Sequence, residues 1–184
     1  MNKLSQRYLV FAVGLAVNSF GIAFITKSAL GTSPISSVPY ALSQFTPLTV
    51  GTATIAMNAV FILIQILLLR RRYDPVQLFQ LPVAIVFGYL TDFAVWLVSF
   101  LQPAAYWQQW LLCLVGIALV GIGVSCEVTA GVATMAGEGV VLAVCQVTPV
   151  KFGTMKVTFD VTLVVIACTL SLLFLGHLAG VREG

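Results

Sequence analysis

Charged residues are scarce in this sequence. Only 8% of its 184 residues are Asp, Glu, Lys or Arg, whereas 60% are apolar. Soluble domains carry about 25% charged residues, so this chain could not cover a water-exposed surface with polar groups. The net charge of +3 does not indicate nucleic-acid binding, because charges this sparse mainly report orientation in a membrane. Composition therefore predicts an integral membrane protein whose main partner is the lipid bilayer.

Catalytic residue types are equally scarce. The sequence has one histidine, His177, no Ser/His/Asp candidate set, and no phosphate loop ending in Lys-Ser or Lys-Thr. Its four cysteines lie within apolar segments and lack the spacing of metal ligands. We therefore expect a protein that is not an enzyme and that holds no cofactor or metal ion.

Long uncharged, apolar segments are abundant. They recur along the whole chain, which argues against a secreted protein with one cleaved signal peptide. A helix needs about 20 apolar residues to cross a bilayer, and five segments are close to that length. They comprise residues 8–25, 49–69, about 75–100, about 110–126 and about 152–175. The predicted fold is an all-α, polytopic transmembrane helical bundle forming a single domain over residues 1–184.

Two further apolar segments, residues 33–45 and 136–147, are too short to cross a bilayer. A helix of about 12 residues spans about 20 Å, less than the hydrocarbon core of about 30 Å. Small or polar residues precede each segment, and Thr-Pro follows each one, at Thr46-Pro47 and Thr148-Pro149. The pattern predicts two half-helices that either re-enter the membrane or form part of a broken helix.

The two halves of the chain align with each other at a constant offset of 102 residues. Shared Gln, Pro and Gly residues are less easily explained by composition than shared Leu or Val. The matches include Leu9/Leu111, Gly14/Gly116, Gly21/Gly123, Gln44/Gln146, Pro47/Pro149 and Gly51/Gly153. We interpret the chain as two copies of a helix–half-helix–helix–helix unit, in residues 7–100 and 107–184. The last helix of the second copy should begin near His177, so we expect most of it to be absent from this chain.

The positions of the basic residues favour one topology. If the half-helices re-enter, Lys3, Arg7 and the run Arg70–Arg72 share one side of the membrane, as the positive-inside rule requires. We therefore expect re-entrant half-helices and a cytoplasmic N-terminus. Each copy then crosses the membrane three times, so the two copies are inverted.

Several motifs occur in an order that resembles a known family. They are Ala29-Leu30-Gly31-Thr32-Ser33-Pro34, Gly51-Thr52, Gly137-Glu138-Gly139, Phe152-Gly153 with Lys156 and Asp160, and the terminal Gly180-Val181-Arg182-Glu183-Gly184. This set is similar to the bacterial YitT/YczE-type family of small integral membrane proteins. The resemblance implies a location in the bacterial cytoplasmic membrane and one further helix after the last motif. It implies no settled activity.

The start of the first half-helix is a candidate binding site. Ser33 can cap a helix and Pro34 is favourable at its first position, so Thr32 and Ser33 lie where free N–H groups and a positive dipole end are presented. Transporters built from inverted repeats place substrates at such breaks. The alternative is that both residues only cap a structural loop.

Charged and polar residues within apolar segments are the other candidates. Glu138, in the first turn of the second half-helix, either balances the helix dipole or binds a cation or proton. Lys156 and Asp160 are four residues apart on one helix face and either form a structural ion pair or respond to a ligand. Asn58 is the repeat counterpart of Asp160. Asp92 either pairs with Lys27 or Lys156, contributes to the site, or lies hydrated near the outer interface.

Five glycines are expected to permit close helix packing rather than chemistry. They are Gly14, Gly21, Gly116, Gly121 and Gly123.

These features predict a transporter of a small solute or ion that works by alternating access between the repeats. One alternative is a substrate-binding membrane subunit that works with a separate ATPase. Another is a scaffold whose polar residues only bridge helices. The small perimeter of the bundle makes a homodimer a further expectation.

Overall fold

The computed structural model describes residues 3–178 and residue 180. Those residues form seven α-helices and contain no strand. The helices are α1 (Lys3–Ser28), α2 (Pro34–Phe45), α3 (Val50–Leu69), α4 (Gln80–Leu97), α5 (Tyr106–Ala130), α6 (Ala136–Val147) and α7 (Phe152–Leu175). Two 3-10 segments, Arg70–Arg72 and Pro75–Phe79, connect α3 to α4. The all-helical prediction is confirmed.

Five of the described helices are long and apolar enough to cross a membrane. They are α1, α3, α4 with its preceding 3-10 segment, α5 and α7. Helices α2 and α6 have 12 residues each, which confirms the two short segments. The protein is therefore a helical membrane protein, and its described residues form five long helices and two short ones.

Helix boundaries differ from the sequence-based expectation mainly in α1 and α5. Helix α1 continues to Ser28 and so includes Lys27. Helix α5 begins at Tyr106 instead of residue 110, because the side-chain oxygen of Gln108 accepts hydrogen bonds from the backbone N–H groups of Ala104 and Ala105. It also ends later than expected, at Ala130, before the left-handed residue Gly131 (φ 55°).

Helices α1 and α5 form the most extensive helix contact of the described chain, through glycines. A Cβ atom on Gly14 would lie 2.9 Å from the carbonyl oxygen of Gly123, and one on Gly21 would lie 2.9 Å from that of Gly116. The predicted packing role of these four glycines is confirmed. The prediction is wrong for Gly121, because a Cβ atom there would have no heavy atom of another segment within 4 Å.

The start of α1, the start of α4 and the end of α5 lie at one end of the bundle. Phe11, Val83 and Ala130 form one buried apolar cluster there. The Arg7 guanidinium donates hydrogen bonds of 2.8 Å to the carbonyl oxygens of Ala130 and Gly131. The basic segment Arg70–Arg72 closely precedes α4 and belongs to the same end.

The two short helices each pack on a long helix from the other half of the chain. Helix α2 contacts α7, and α6 contacts α3. Their shared core includes Val38, Phe61, Val140 and Phe159. This arrangement brings the first turns of both short helices into the interior of the bundle, where Gly137 approaches the side chain of Ile35.

Candidate functional site

A cavity of about 560 Å³ lies where the first turns of α2 and α6 meet the long helices. Its wall is built from α1, α3, α4, α5 and α7, from the loop that joins α5 to α6, and from the segment Pro75–Phe79. A volume of this size suits a small organic molecule. The cavity therefore defines the candidate functional site.

Five of the seven residues predicted as site residues line this cavity. They are Ser33, Asn58, Glu138, Lys156 and Asp160. They come from three helices and one helix cap, and the fold brings them together around one space. Thr32 and Asp92 do not line it.

Pro34 occupies the first turn of α2 and Ser33 is its N-cap. The Ser33 side chain does not cap the helix; its hydroxyl lies 3.1 Å from the Ser36 hydroxyl, and both residues line the cavity. Thr32 is engaged elsewhere, since its backbone N–H donates to the carbonyl oxygen of Gly180 at 2.9 Å. The short helix thus presents its first turn, rather than Thr32, to the cavity.

Lys156 and Asp160 form the predicted ion pair. The Lys156 ammonium lies 2.6 Å from a carboxylate oxygen of Asp160, and the two side chains are 34% and 28% exposed. Both residues line the cavity, so the pair is accessible from it. A ligand could reach either partner without first opening a helix interface.

Asp92 pairs with neither Lys27 nor Lys156 in the described part of the chain. Its carboxylate accepts a hydrogen bond of 2.5 Å from the Thr49 hydroxyl and one of 2.7 Å from the backbone N–H of Gly51. These groups belong to the N-terminus of α3, where a carboxylate also meets the positive end of the helix dipole. Asp92 therefore joins α4 to α3.

Glu127 was not identified from the sequence, although it lines the cavity and is only 3% exposed. Its carboxylate accepts a hydrogen bond of 3.0 Å from the side-chain amide of Asn18, which is 6% exposed. The predicted span ended at residue 126, which left Glu127 outside the membrane. The available signal was Asn18, an amide in the middle of an apolar helix.

A second polar connection holds the start of α6 in place. The side-chain amide of Gln65 donates to the carbonyl oxygen of Ala136 at 3.0 Å and to the side chain of Gln80 at 3.2 Å. Gly139 makes this approach feasible, because a Cβ there would lie 2.6 Å from the Gln65 side-chain oxygen. Gln65 thereby fixes the α6 end that carries Glu138.

Together, the fold and the cavity define the class of this molecule as a polytopic helical membrane protein with a charged internal cavity. The chain belongs to a family of unknown function, DUF6198, which matches residues 5–184. It is also similar to the uncharacterized protein YyaS of Bacillus subtilis (strain 168), with 27% identity over 119 residues. That alignment covers 64% of this chain and 58% of YyaS, so it spans little more than half of the relative.

No solved structure matches the chain. Neither the family match nor YyaS confirms the YitT/YczE-type name, so that finer resemblance rests on the motifs. Residues 181–184 of its terminal motif lie outside the described residues.

Proposed function

We propose that this protein transports a small solute across the membrane by exposing its central cavity alternately to the two sides. The observation that carries the proposal is the cavity itself, which lies between long apolar helices yet is lined by Glu127, Glu138, Lys156 and Asp160. Ionisable side chains within a membrane domain are costly and commonly mark the path of a solute or proton. A charged space of this size supports transport over a scaffold in which the polar residues only bridge helices.

Helix packing supports a pair of inverted repeats. The 102-residue offset relates Gly14 to Gly116 and Gly21 to Gly123, and the contacts run crosswise, from Gly14 to Gly123 and from Gly21 to Gly116. Exchanging the two halves of the chain by this offset therefore converts one glycine contact into the other. The same exchange converts the α2–α7 contact into the α6–α3 contact. Reciprocal contacts of this kind are expected from a two-fold relation, the arrangement that supports alternating access in repeat-built transporters.

The distribution of basic residues supports a cytoplasmic N-terminus. Arg7 and Arg70–Arg72 belong to the same end of the bundle, whereas Lys27 is near the opposite end of α1. The positive-inside rule assigns the more basic end to the cytoplasm. We propose the bacterial cytoplasmic membrane as the location, which agrees with the Bacillus origin of the YyaS relative.

A homodimer stays a prediction. Helices α5 and α7 are the least buried of the five long helices. In the most apolar stretch of each helix, 22% of the residues are buried in α5 and 17% in α7, compared with 44% in α1 and in α3. Lipid or a second copy could cover these faces.

Cysteine labelling tests alternating access without knowledge of the substrate. In a variant with the four native cysteines replaced by alanine, Thr54→Cys places a thiol in the cavity wall. We expect a membrane-impermeant maleimide to label it both in right-side-out and in inside-out membrane vesicles, because the two states open the same space to opposite sides.

The matched control is Thr158→Cys on the exposed surface of α7. Like Thr54, Thr158 hydrogen-bonds to the carbonyl four residues earlier, but it lies outside the cavity. It should react in neither orientation, since a polar maleimide does not enter lipid. Labelling of Thr54→Cys from one side only would exclude alternating access and favour a scaffold or a one-sided binding subunit.

A further inference from the structure

We propose that the cavity selects a small organic cation and that Glu127 is its main counter-charge. The inference rests on the proposed function, since it names the class of substrate that the cavity would carry. Three arguments support it: the charge of the wall, the state of Glu127, and the spacing and chemistry of the remaining lining.

The cavity wall has an excess of negative charge. Its formal charges are the carboxylates of Glu127, Glu138 and Asp160 and the ammonium of Lys156. Because Lys156 pairs with Asp160, two carboxylates remain uncompensated by a cationic side chain. Each helix N-terminus contributes about half a positive charge, so α2 and α6 together offset about one of them. A ligand with one positive charge would neutralise the remainder.

Glu127 is the most buried of the three carboxylates in the cavity wall, and no cationic side chain of the described residues pairs with it. It is 3% exposed, and Asn18 is its hydrogen-bond partner among residues 3–178 and 180. That partner is a neutral amide bound to one of the two carboxylate oxygens, and Glu127 lines the cavity. Keeping a buried carboxylate ionised without a cationic partner is costly. A cation in the cavity would reduce this cost, whereas a neutral ligand would not.

The rest of the lining suits an organic cation better than a bare metal ion. The three carboxylates come from α5, α6 and α7, and no three His, Cys, Asp or Glu side chains of the described chain converge closely enough to hold a metal ion. The lining also includes apolar side chains such as Ile22, Met57 and Phe87. Alkyl groups pack on such a surface, and aromatic faces attract quaternary ammonium groups.

Three ligands of nearly the same shape separate charge from size. Choline carries one positive charge, 3,3-dimethylbutan-1-ol is its neutral isostere, and 3,3-dimethylbutanoate is a similar anion. Thermal unfolding of the purified full chain in nanodiscs would be measured with each ligand at equal ionic strength. We expect choline alone to raise the Tm, because only a ligand that prefers the folded protein stabilises it.

Two variants assign the counter-charge. Glu127→Gln retains an acceptor for Asn18 and should weaken choline binding about tenfold or more, the effect of losing about 1.4 kcal/mol. Glu138→Gln should cause a smaller loss, since α6 compensates part of that charge. Asp74→Asn is the matched control, because it changes the net charge equally and lies outside the cavity. It keeps a side-chain oxygen that accepts the backbone hydrogen bond at the N-terminus of the Pro75–Phe79 segment. Choline binding should therefore not change.

Stabilisation by the neutral or anionic analogue equal to that by choline, or by none of the three, would overturn the cation proposal. So would full retention of choline binding in Glu127→Gln. Failure of the proposed function is recognised separately, by the Thr54→Cys labelling. Labelling from both sides without cation preference contradicts only the substrate class, whereas cation binding with labelling from one side contradicts only transport.

Discussion

At the scale of single residues, the carboxylates differ in what compensates them. Asp160 has an ammonium partner, Asp92 accepts hydrogen bonds from a hydroxyl and a backbone N–H group, and Glu127 has one neutral amide. Hydrogen bonds and ion pairs offset the cost of removing a charge from water. Asp92 and Asp160 are therefore held by the protein, whereas Glu127 is left able to respond to a ligand.

Asp92 should matter for stability and not for ligand binding. Replacing it with alanine leaves the N–H of Gly51 without its acceptor and removes the link from α4 to α3. We expect the free energy of unfolding to fall by about 1–3 kcal/mol, measured by denaturant or thermal unfolding of the purified protein. Asp92→Asn keeps an acceptor oxygen and should cost less. An Asp92→Ala protein as stable as the wild type would contradict the capping role.

At the scale of secondary-structure elements, glycines determine how closely α1 and α5 approach. A Cβ on Gly21 would lie 2.7 Å from the backbone nitrogen of Val120, and one on Gly123 would lie 2.7 Å from that of Asn18. A backbone atom cannot rotate away as a side chain can, so either substitution must separate the helices. Since Asn18 and Glu127 face each other across this contact, the glycines also position the cavity wall.

Gly21→Ala and Gly121→Ala form a matched pair on these two helices. Gly21→Ala overpacks the α1–α5 contact and should lower the free energy of unfolding by about 1–3 kcal/mol. Gly121→Ala adds a methyl group where no heavy atom of another segment lies within 4 Å, so it should not destabilise the protein. Unfolding of both variants under the same conditions provides the measurement. Equal stability of the two proteins would show that the close approach contributes little.

At the scale of the whole molecule, orientation follows from the asymmetric placement of charge. The loop after α3 contains Arg70–Arg72 and belongs to the end that carries Arg7. The loop between α4 and α5 lies one helix length away and has no charged residue from Val98 to Ala105. Basic loops are retained on the cytoplasmic side of the membrane, so we expect the loop after α3 to be cytoplasmic.

Two single cysteines test this orientation in intact cells. In the cysteine-free protein, Asp74→Cys reports the loop after α3 and Gln102→Cys reports the loop before α5; both positions are exposed. We expect an impermeant maleimide to label Gln102→Cys in intact cells and Asp74→Cys only after the cells are lysed. The reverse pattern would place the N-terminus outside.

Local sequence was sufficient to predict which segments are helical and which are too short to cross a membrane. Hydropathy and segment length act locally, and Pro34, Thr46 and Pro47 mark the ends of α2 without reference to other segments. The ion pair of Lys156 and Asp160 was predictable for the same reason, since four residues on one helix bring two side chains together.

Which polar residues share the cavity depends instead on contacts between distant parts of the chain. Asn18 and Glu127 are separated by 109 positions, and their contact depends on how α1 and α5 cross at their glycines. The partner of Thr32 likewise lies 148 positions away, and the two partners of Asp92 lie 41 and 43 positions away. Hydropathy assigns a residue to the membrane, but the packing of distant helices decides whether it faces a cavity, a helix end or lipid.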